Sequence, residues 1–435
     1  MKEGAIDATA RILARAEEDG EFRRRLLAGP EAAKAAIEQE LGTPLADGHR
    51  LVVHEETDTE THLVLAPRSK RSAEERAAAR SGAASLEFLK KTMHDPAPAR
   101  RDAARKPSGD WTSSPSPTAS SKEVRQSIRR GLAFLASAVD DNGAWHCIRF
   151  NLANPSIPRH YERPAFISAL CTLALESSDE PQAKALRAAT WNYIAATMEH
   201  PGLWRYYRHL PQDLDSSALC GLVVGTHPWI ALGRNVARML ANRDADGRFM
   251  TWVLEQDEPD VTPSFRIEAD PVVNANVIAY VGDGAETKAA QQWLHALLAD
   301  DRIEGTSKWY PSTVAIYYAI SRTVVRTSPA LDHLRPLLTE RILALAGEAG
   351  EFGNVLETAQ AMSALYNVGG LDSVDARRET ARLLDAQRDD GSWPELLAFG
   401  DETLRWGLIG QIGHGSESVT TAFCIEALER LTRVL

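Results

Sequence analysis

Several shortages narrow what this chain can be. Its four cysteines (Cys147, Cys171, Cys220 and Cys424) are scattered, with none of the short spacings of a metal site or a disulfide framework. At least three of them fall in apolar helical stretches, the usual place for a buried thiol. A reduced protein with no metal and no other cofactor is therefore expected. No apolar run is long enough to span a bilayer, and the richest stretch, 218–232, is broken by His227 and Pro228. The start, Met1-Lys2-Glu3-Gly4, lacks the apolar core of a secretion signal. The expected location is cytoplasmic, or peripheral at a membrane surface. Basic residues are outnumbered, and a net charge of -11 argues against a nucleic-acid partner. Aromatic residues make up only 7% of the chain.

What the chain does have is a recurring corner. Six times a Gly is followed closely by an aromatic residue: Gly143-Ala144-Trp145, Gly202-Leu203-Trp204, Gly247-Arg248-Phe249, Gly305 leading to Trp309, Gly350-Glu351-Phe352, and Gly391-Ser392-Trp393. The spacing runs from 41 to 59 residues, and each corner separates two stretches of helical period. That is the mark of a repeated helical hairpin, in which each unit buries its apolar face against its neighbours. Outer helices are expected near 123–138, 183–198, 233–243, 285–299, 331–347 and 374–387. Inner helices are expected near 163–175, 214–224, 271–281, 311–323, 355–367 and 417–432. The inner set is small and apolar nearly all round, which places it between two layers. No strand pattern is evident in this region. The fold class is mainly α, an (α/α)6 toroid over 122–435 with a central cavity.

Two further segments precede it. Residues 1–67 read as a small α+β domain: a helical stretch over 5–27, a break at Gly29-Pro30, a helix over 31–41, and β-type runs at Leu51-Val52-Val53 and His62-Leu63-Val64-Leu65. Residues 68–121 read as a disordered linker rich in Ala, Pro, Ser and basic residues, with one short helix at 83–93.

The chemistry-bearing run is Asp213-Leu214-Asp215-Ser216-Ser217-Ala218, at the mouth of the second inner helix. Asp213 or Ser216 suits helix capping. Two carboxylates at this spacing also repel each other, and burial of the pair raises the pKa of one, making a proton donor. Polar residues at other inner-helix starts are expected to face the cavity. They are Tyr161 and Glu162; Glu268, Asp270, Asn274 and Asn276; Ser312 and Thr313; Asn354 and Glu357; and His414, Ser416 and Glu417.

Two resemblances add to this reading. The corners, with Gln387-Arg388-Asp389-Asp390-Gly391-Ser392-Trp393 as the cleanest copy, resemble the QW repeats of squalene-hopene and other class II terpene cyclases. Asp213-Leu214-Asp215-Ser216-Ser217-Ala218 resembles that family's Asp-x-Asp-Asp-Thr-Ala motif. The resemblance implies proton-initiated cyclisation or isomerisation of a polyprenyl or other hydrophobic small molecule. Asp215 would be the general acid and Asp213 its neighbouring carboxylate. Ser216, Tyr161, Asn274, Trp309, Tyr310, Glu357, His414 and Glu417 would contact substrate. Tyr206, Tyr207, Trp204, Trp393 and Trp406 could offer cation-stabilising faces or pack in the corners, and His209 could bond the acid. Ser216 stands where a third carboxylate is expected, and the chain has one helical domain where such cyclases usually have two. The first 67 residues resemble nitrile-hydratase-type leader peptides of ribosomal natural products, through Glu21-Phe22-Arg23-Arg24-Arg25-Leu26-Leu27-Ala28-Gly29-Pro30, Leu41-Gly42-Thr43-Pro44-Leu45 and the two β-type runs. This implies a recognition handle for a maturation or export protein. The alternative function is then a non-catalytic or peptide-handling toroid, recruited or exported through its leader.

Overall fold

The structure is a computed structural model that describes residues 15–16, 19–42, 120–152, 158–207, 210–225, 233–254, 268–347, 350–401 and 412–434. The expected hairpin at 51–65, the linker helix at 83–93, His209 and Trp406 lie outside them. The chain divides into two units between His94 and Asp95, and each is described by itself.

In the first unit, α1 (Gly20–Leu27) and α2 (Pro30–Leu41) form a helical pair. The single helix expected over 5–27 is interrupted. Asp19 has extended backbone angles, and its carboxylate accepts from the N–H groups of Glu21 and Phe22, so a new helix starts there. Pro30 fills the first position of α2, where no N–H is needed. Phe22 and Leu26 close against Ala33 and Ala36.

Among the described residues, the second unit has twelve α-helices in six pairs. The outer members are α3 (Ser121–Ala138), α5 (Pro181–Ala196), α7 (Arg234–Ala241), α9 (Lys288–Ala299), α11 (Arg335–Ala344) and α13 (Ala376–Asp385). The inner members are α4 (Ala165–Ala174), α6 (Leu214–Val224), α8 (Pro271–Val281), α10 (Thr313–Arg326), α12 (Val355–Val368) and α14 (Glu417–Leu431). Each inner helix packs on the next, and α14 returns to α4, so the ring closes. All ten residues of α4 are buried, whereas α3 buries one stripe, from Val124 through Ile128 and Leu132 to Leu135. A helix wetted on one face belongs outside and one wetted on none belongs inside. The six expected pairs are the six observed.

The corners explain the repeated Gly and aromatic. Trp145, Trp204 and Trp393 are fully buried. Each indole Nε1–H donates to a carbonyl ten residues earlier, near the end of the preceding outer helix: Leu135, Ile194 and Leu383. The corner backbone N–H is taken by a polar side chain in the first turns of the next inner helix. Trp145 donates to Ser168 Oγ, Trp204 to Ser217 Oγ, Phe249 to Asn274 Oδ1 and Trp393 to Thr421 Oγ1. At the Trp corners one residue, through its indole and its backbone N–H, thus ties an outer helix, a turn and an inner helix together. Gly391 (φ 89°) also lies against the first repeat, where a Cβ would come within 2.4 Å of the Arg130 carbonyl oxygen.

The absence of strands expected from the sequence is corrected. Among the described residues six short strands occur: β1 (Cys147–Asn151), β2 (His160–Glu162), β3 (Gln212–Asp213), β4 (Trp252–Val253), β5 (Leu397–Asp401) and β6 (Ile412–Gly415). The larger sheet has the order β2-β1-β6-β5, all antiparallel. β1 and β2 precede α4, while β5 and β6 precede α14. Because those two inner helices are neighbours in the ring, insertions at their starts emerge side by side and pair.

Candidate active site

The mouth of α6 separates the two aspartates by role. Asp213 is the N-cap: Oδ1 accepts from Ser216 N–H (2.6 Å) and Oδ2 from Tyr206 N–H (2.8 Å). Burial pushes its carboxyl up to about 7, against the pull of these donors and with a further push from Asp215. Asp215, in the first turn of the helix, accepts from no backbone donor among the described residues. The Tyr310 hydroxyl donates to its Oδ2 (2.7 Å) and Asn276 Nδ2 to its Oδ1 (2.6 Å). Behind Asn276, Arg322 Nη2 donates to the amide Oδ1 (2.5 Å), which fixes the amide with its N–H groups toward Asp215. Burial raises the Asp215 pKa, opposed by the Tyr310 hydroxyl, the Asn276 amide and the Arg322 charge. Desolvation is thus the main cause at both aspartates, ahead of their mutual repulsion.

A small cavity lies among the inner helices; Asp215 is not in its wall, but its two partners are. Asn276 and Tyr310 form part of its wall, with Leu170 from α4, Tyr318 and Arg322 from α10, Gln360 from α12, Phe423 from α14 and Phe399 from β5. Its volume is about 20 Å³, on the scale of one water molecule. Phe399, which reaches in from the sheet, packs edge-on to Phe166 and Tyr206 and stacks on His414 at 4.8 Å.

The remaining expected residues lie elsewhere. His414 joins a second polar cluster, with Nε2 lying 3.4 Å from Glu162 Oε2 without an aligned hydrogen bond. Arg149 and the Tyr206 hydroxyl also meet Glu162 (2.8 and 3.2 Å). Burial would raise the Glu162 pKa, but His414, Arg149 and Tyr206 outweigh it and hold the group below its ordinary value. Tyr161 points the other way, stacked on His146 at 4.5 Å, and burial raises its pKa. Asn274 spends its amide on the Phe249 corner and on Asp270, and Ser216 turns to Asp213. Glu357 closes a capping box with Asn354 and accepts from Ser312, while Glu417 pairs with Arg388. Trp309 donates from Nε1 to Glu268 Oε1 (2.6 Å), and Lys308 holds the other oxygen of that carboxylate (2.8 Å). Asp270 caps α8 as Asp213 caps α6, and burial lifts it to about 6. Only Tyr310 of the expected substrate contacts therefore lines this cavity. Trp204 and Trp393 are corner residues.

Sequence reasoning missed Phe399, Gln360 and Arg322. Phe399 carries no periodic signal. Arg322 had one, a cation within the apolar inner-helix run Ile320-Ser321-Arg322-Thr323-Val324. Among the described residues, no cluster of three or more His, Cys, Asp or Glu is placed to hold a metal, and no helix is long and apolar enough to cross a membrane.

No protein-family model and no curated protein matches the sequence. Solved structures do match. An apo variant of the type II terpene cyclase MstE from Scytonema superposes with a TM-score of 0.53 at 18% identity, over 72% of this chain and 98% of that one. Another variant of MstE, in complex with geranylgeranyl dihydroxybenzoate (substrate), matches with the same score, identity and coverage. A protein from Actinoplanes matches at 0.54 and 17%, over 71% of this chain and 99% of that one. The chain shares its fold with type II terpene cyclases. The aligned part accounts for nearly all of MstE, so a single domain of this extent is the extent of that cyclase.

Proposed function

We propose that the toroid is a terpene-cyclase-like enzyme in which Asp215 protonates an isoprenoid held in the ring cavity. The observation that carries this reading is the Asp215 carboxyl itself. It is buried, accepts from no backbone donor among the described residues, is raised in pKa, and is bonded to Asn276 and Tyr310, which help wall the ring cavity. Tyr310 and Asn276 each occupy one lone pair of the two oxygens, which orients the carboxyl and leaves a site on each oxygen for the acidic proton. Proton transfer to a terminal alkene carbon leaves the aspartate ionised and a carbocation on the substrate. The ring faces of Tyr310, Phe399, Tyr318 and Phe423 can then stabilise that cation. Attack by an internal alkene forms the ring bond, and loss of a proton from carbon makes the overall change an isomerisation. Asp213 caps the helix that presents the acid. Substrate entry requires the cavity to enlarge, because its volume as it stands is about that of one water molecule; Phe399, which lines it from the sheet, is the side chain proposed to move.

The decisive experiment is Asp215→Asn, which keeps size and polarity but has no transferable proton. Turnover of linear isoprenoids should fall by at least ~100-fold, with Asp213→Asn costing less. Unchanged turnover in Asp215→Asn refutes the acid. A folded wild-type protein with no turnover across linear prenyl alcohols, acids and diphosphates favours the second reading, a peptide-handling toroid addressed through its N-terminal segment. The small cavity supports that second reading, and the leader-like motifs of the first 67 residues supply its partner class, a maturation or export protein.

A further inference from the structure

Two buried carboxylates flank one cation inside the ring. Glu426, on the third turn of α14, is 2% exposed and is not in the cavity wall. Arg430 pairs with its Oε1 (2.7 Å), and the Tyr318 hydroxyl donates to its Oε2 (3.0 Å). Arg322 stands between this carboxylate and Asp215 and ion-pairs directly with neither. Its guanidinium lies over the Tyr318 ring, 5.5 Å from the centroid. Its Nη2 donates to the Asn276 amide (2.5 Å), which in turn donates to Asp215 (2.6 Å). Each acid is thus one side chain removed from Arg322. Burial raises the pKa of both, and the Arg322 charge is among the effects that oppose it at each.

The two acids are not equivalent. Glu426 has a direct ion pair and ionises first, whereas the direct partners of Asp215, Tyr310 and Asn276, are neutral. Other groups complete the electrostatic surroundings. Glu176, after α4, opposes ionisation of Glu426, and Arg430 lies over the Tyr366 ring of α12. Asp213, Cys220 and Asp270 feel the charge of Asp215. With Glu426 ionised, Glu426, Arg430 and Arg322 together carry one positive charge. With Glu426 neutral they carry two, and the added charge draws the proton off Asp215. We propose that Arg322 is a counter-cation shared by Asp215 and Glu426, and that Glu426 is a positioning residue which, through Arg322, keeps Asp215 protonated. The proposal rests on the reading of Asp215 as the acid, and it adds the group on α14 that holds the acid ready. The influence is electrostatic, because the amide of Asn276 interrupts any path for a proton between Arg322 and Asp215.

The test is an NMR titration of the full chain, isotope-labelled at the aspartate carboxyl carbons, with the Asp215 signal identified by its loss in Asp215→Asn. Glu426→Gln should move the Asp215 midpoint to lower pH by at least ~0.5 pH unit, and Arg322→Gln should move it to higher pH. Adding Glu426→Gln to Arg322→Gln should shift the midpoint by less than half as much as it does in the parent, since the coupling runs through the arginine. If Glu426→Gln fails to fold, the double variant Glu426→Gln with Arg430→Gln removes the ion pair whole and should give a shift of the same sign. A midpoint that stays in place when the Glu426 charge is removed overturns the proposal and leaves the acid reading intact. An equal shift with and without Arg322 does the same. The alkaline limb of turnover should follow the NMR midpoint. A midpoint that moves while the limb does not keeps the coupling and removes Asp215 as the acid.

Discussion

Asp213 and Asp215 are two residues apart and do different work, and pH separates them. If Asp215 is the acid proposed above, it acts only while protonated, so turnover should be held at low pH and fall as pH rises through its raised pKa. The Tyr310 hydroxyl is the largest of the effects that lower that pKa. Tyr310→Phe should therefore move the alkaline limb of the pH–rate profile to higher pH, and a limb that stays in place argues against Asp215 as the titrating group. Asp213 is read in stability instead. Its folded pKa of about 7 lies above the ordinary value of 3.8, so the folded state binds the extra proton between those limits. Stability from this group is then lost as pH rises through that window. Asn caps helices as well as Asp does. Asp213→Asn should keep the cap and flatten the decline of the melting temperature between pH 4 and 7. Glu162, with a lowered pKa, acts in the opposite direction and lies at the acid end. The comparison is therefore of slopes, variant against parent.

At the scale of the element, the corner is the unit that can be broken cleanly. Thr421→Val leaves the Trp393 N–H buried without an acceptor and should cost ~1–3 kcal/mol in chemical denaturation. Gly391→Ala should cost more than ~1 kcal/mol, since it combines a positive φ with a Cβ pressed on the Arg130 carbonyl. Losses below ~0.5 kcal/mol in both would mean that the corner does not hold the hairpin. These corners were also what the sequence made legible. A Gly before an aromatic marks a turn requirement plus a buried anchor, and the two helical periods beside it carry the layer assignment. The sheet was not legible. β1, β2, β5 and β6 are three to five residues long, mix His, Arg, Asn and Gly with apolar residues, and exist because two neighbouring insertions meet in space. The site was half legible for the same reason. Asp213 and Asp215 share one short run, but Tyr310, Asn276 and Phe399 reach Asp215 or the cavity from three other repeats. A helix start fixes where a residue sits along the ring axis without fixing whether its side chain turns to the cavity, a corner or a cap. Asn274 and Asn276 show this, two residues apart on one helix with opposite duties.

At the scale of the molecule, the ring has a small space among its inner helices. Phe399 fills it from the sheet, and Phe399→Ala should open the cavity by roughly the volume of the lost ring. If the toroid is an enzyme, this variant should accept longer isoprenoids relative to shorter ones than the parent does, measured as the ratio of their kcat/KM values. An unchanged ratio would place the limit on chain length elsewhere.

Ring closure also has a consequence in time. Gln387 at the end of α13 bonds Ser127 and Arg130 of α3, and the first of these contacts spans 260 residues of sequence. At ~5–20 residues per second of synthesis, the first hairpin waits on the order of ten to fifty seconds for its last neighbour. Throughout that interval the free edge of α4, apolar along its length, faces the solvent of the emerging chain. Nascent chains of this protein should therefore be a prolonged client of whatever shields hydrophobic surfaces at the ribosome. A version rearranged to begin at another corner would expose a different edge for the same length of time.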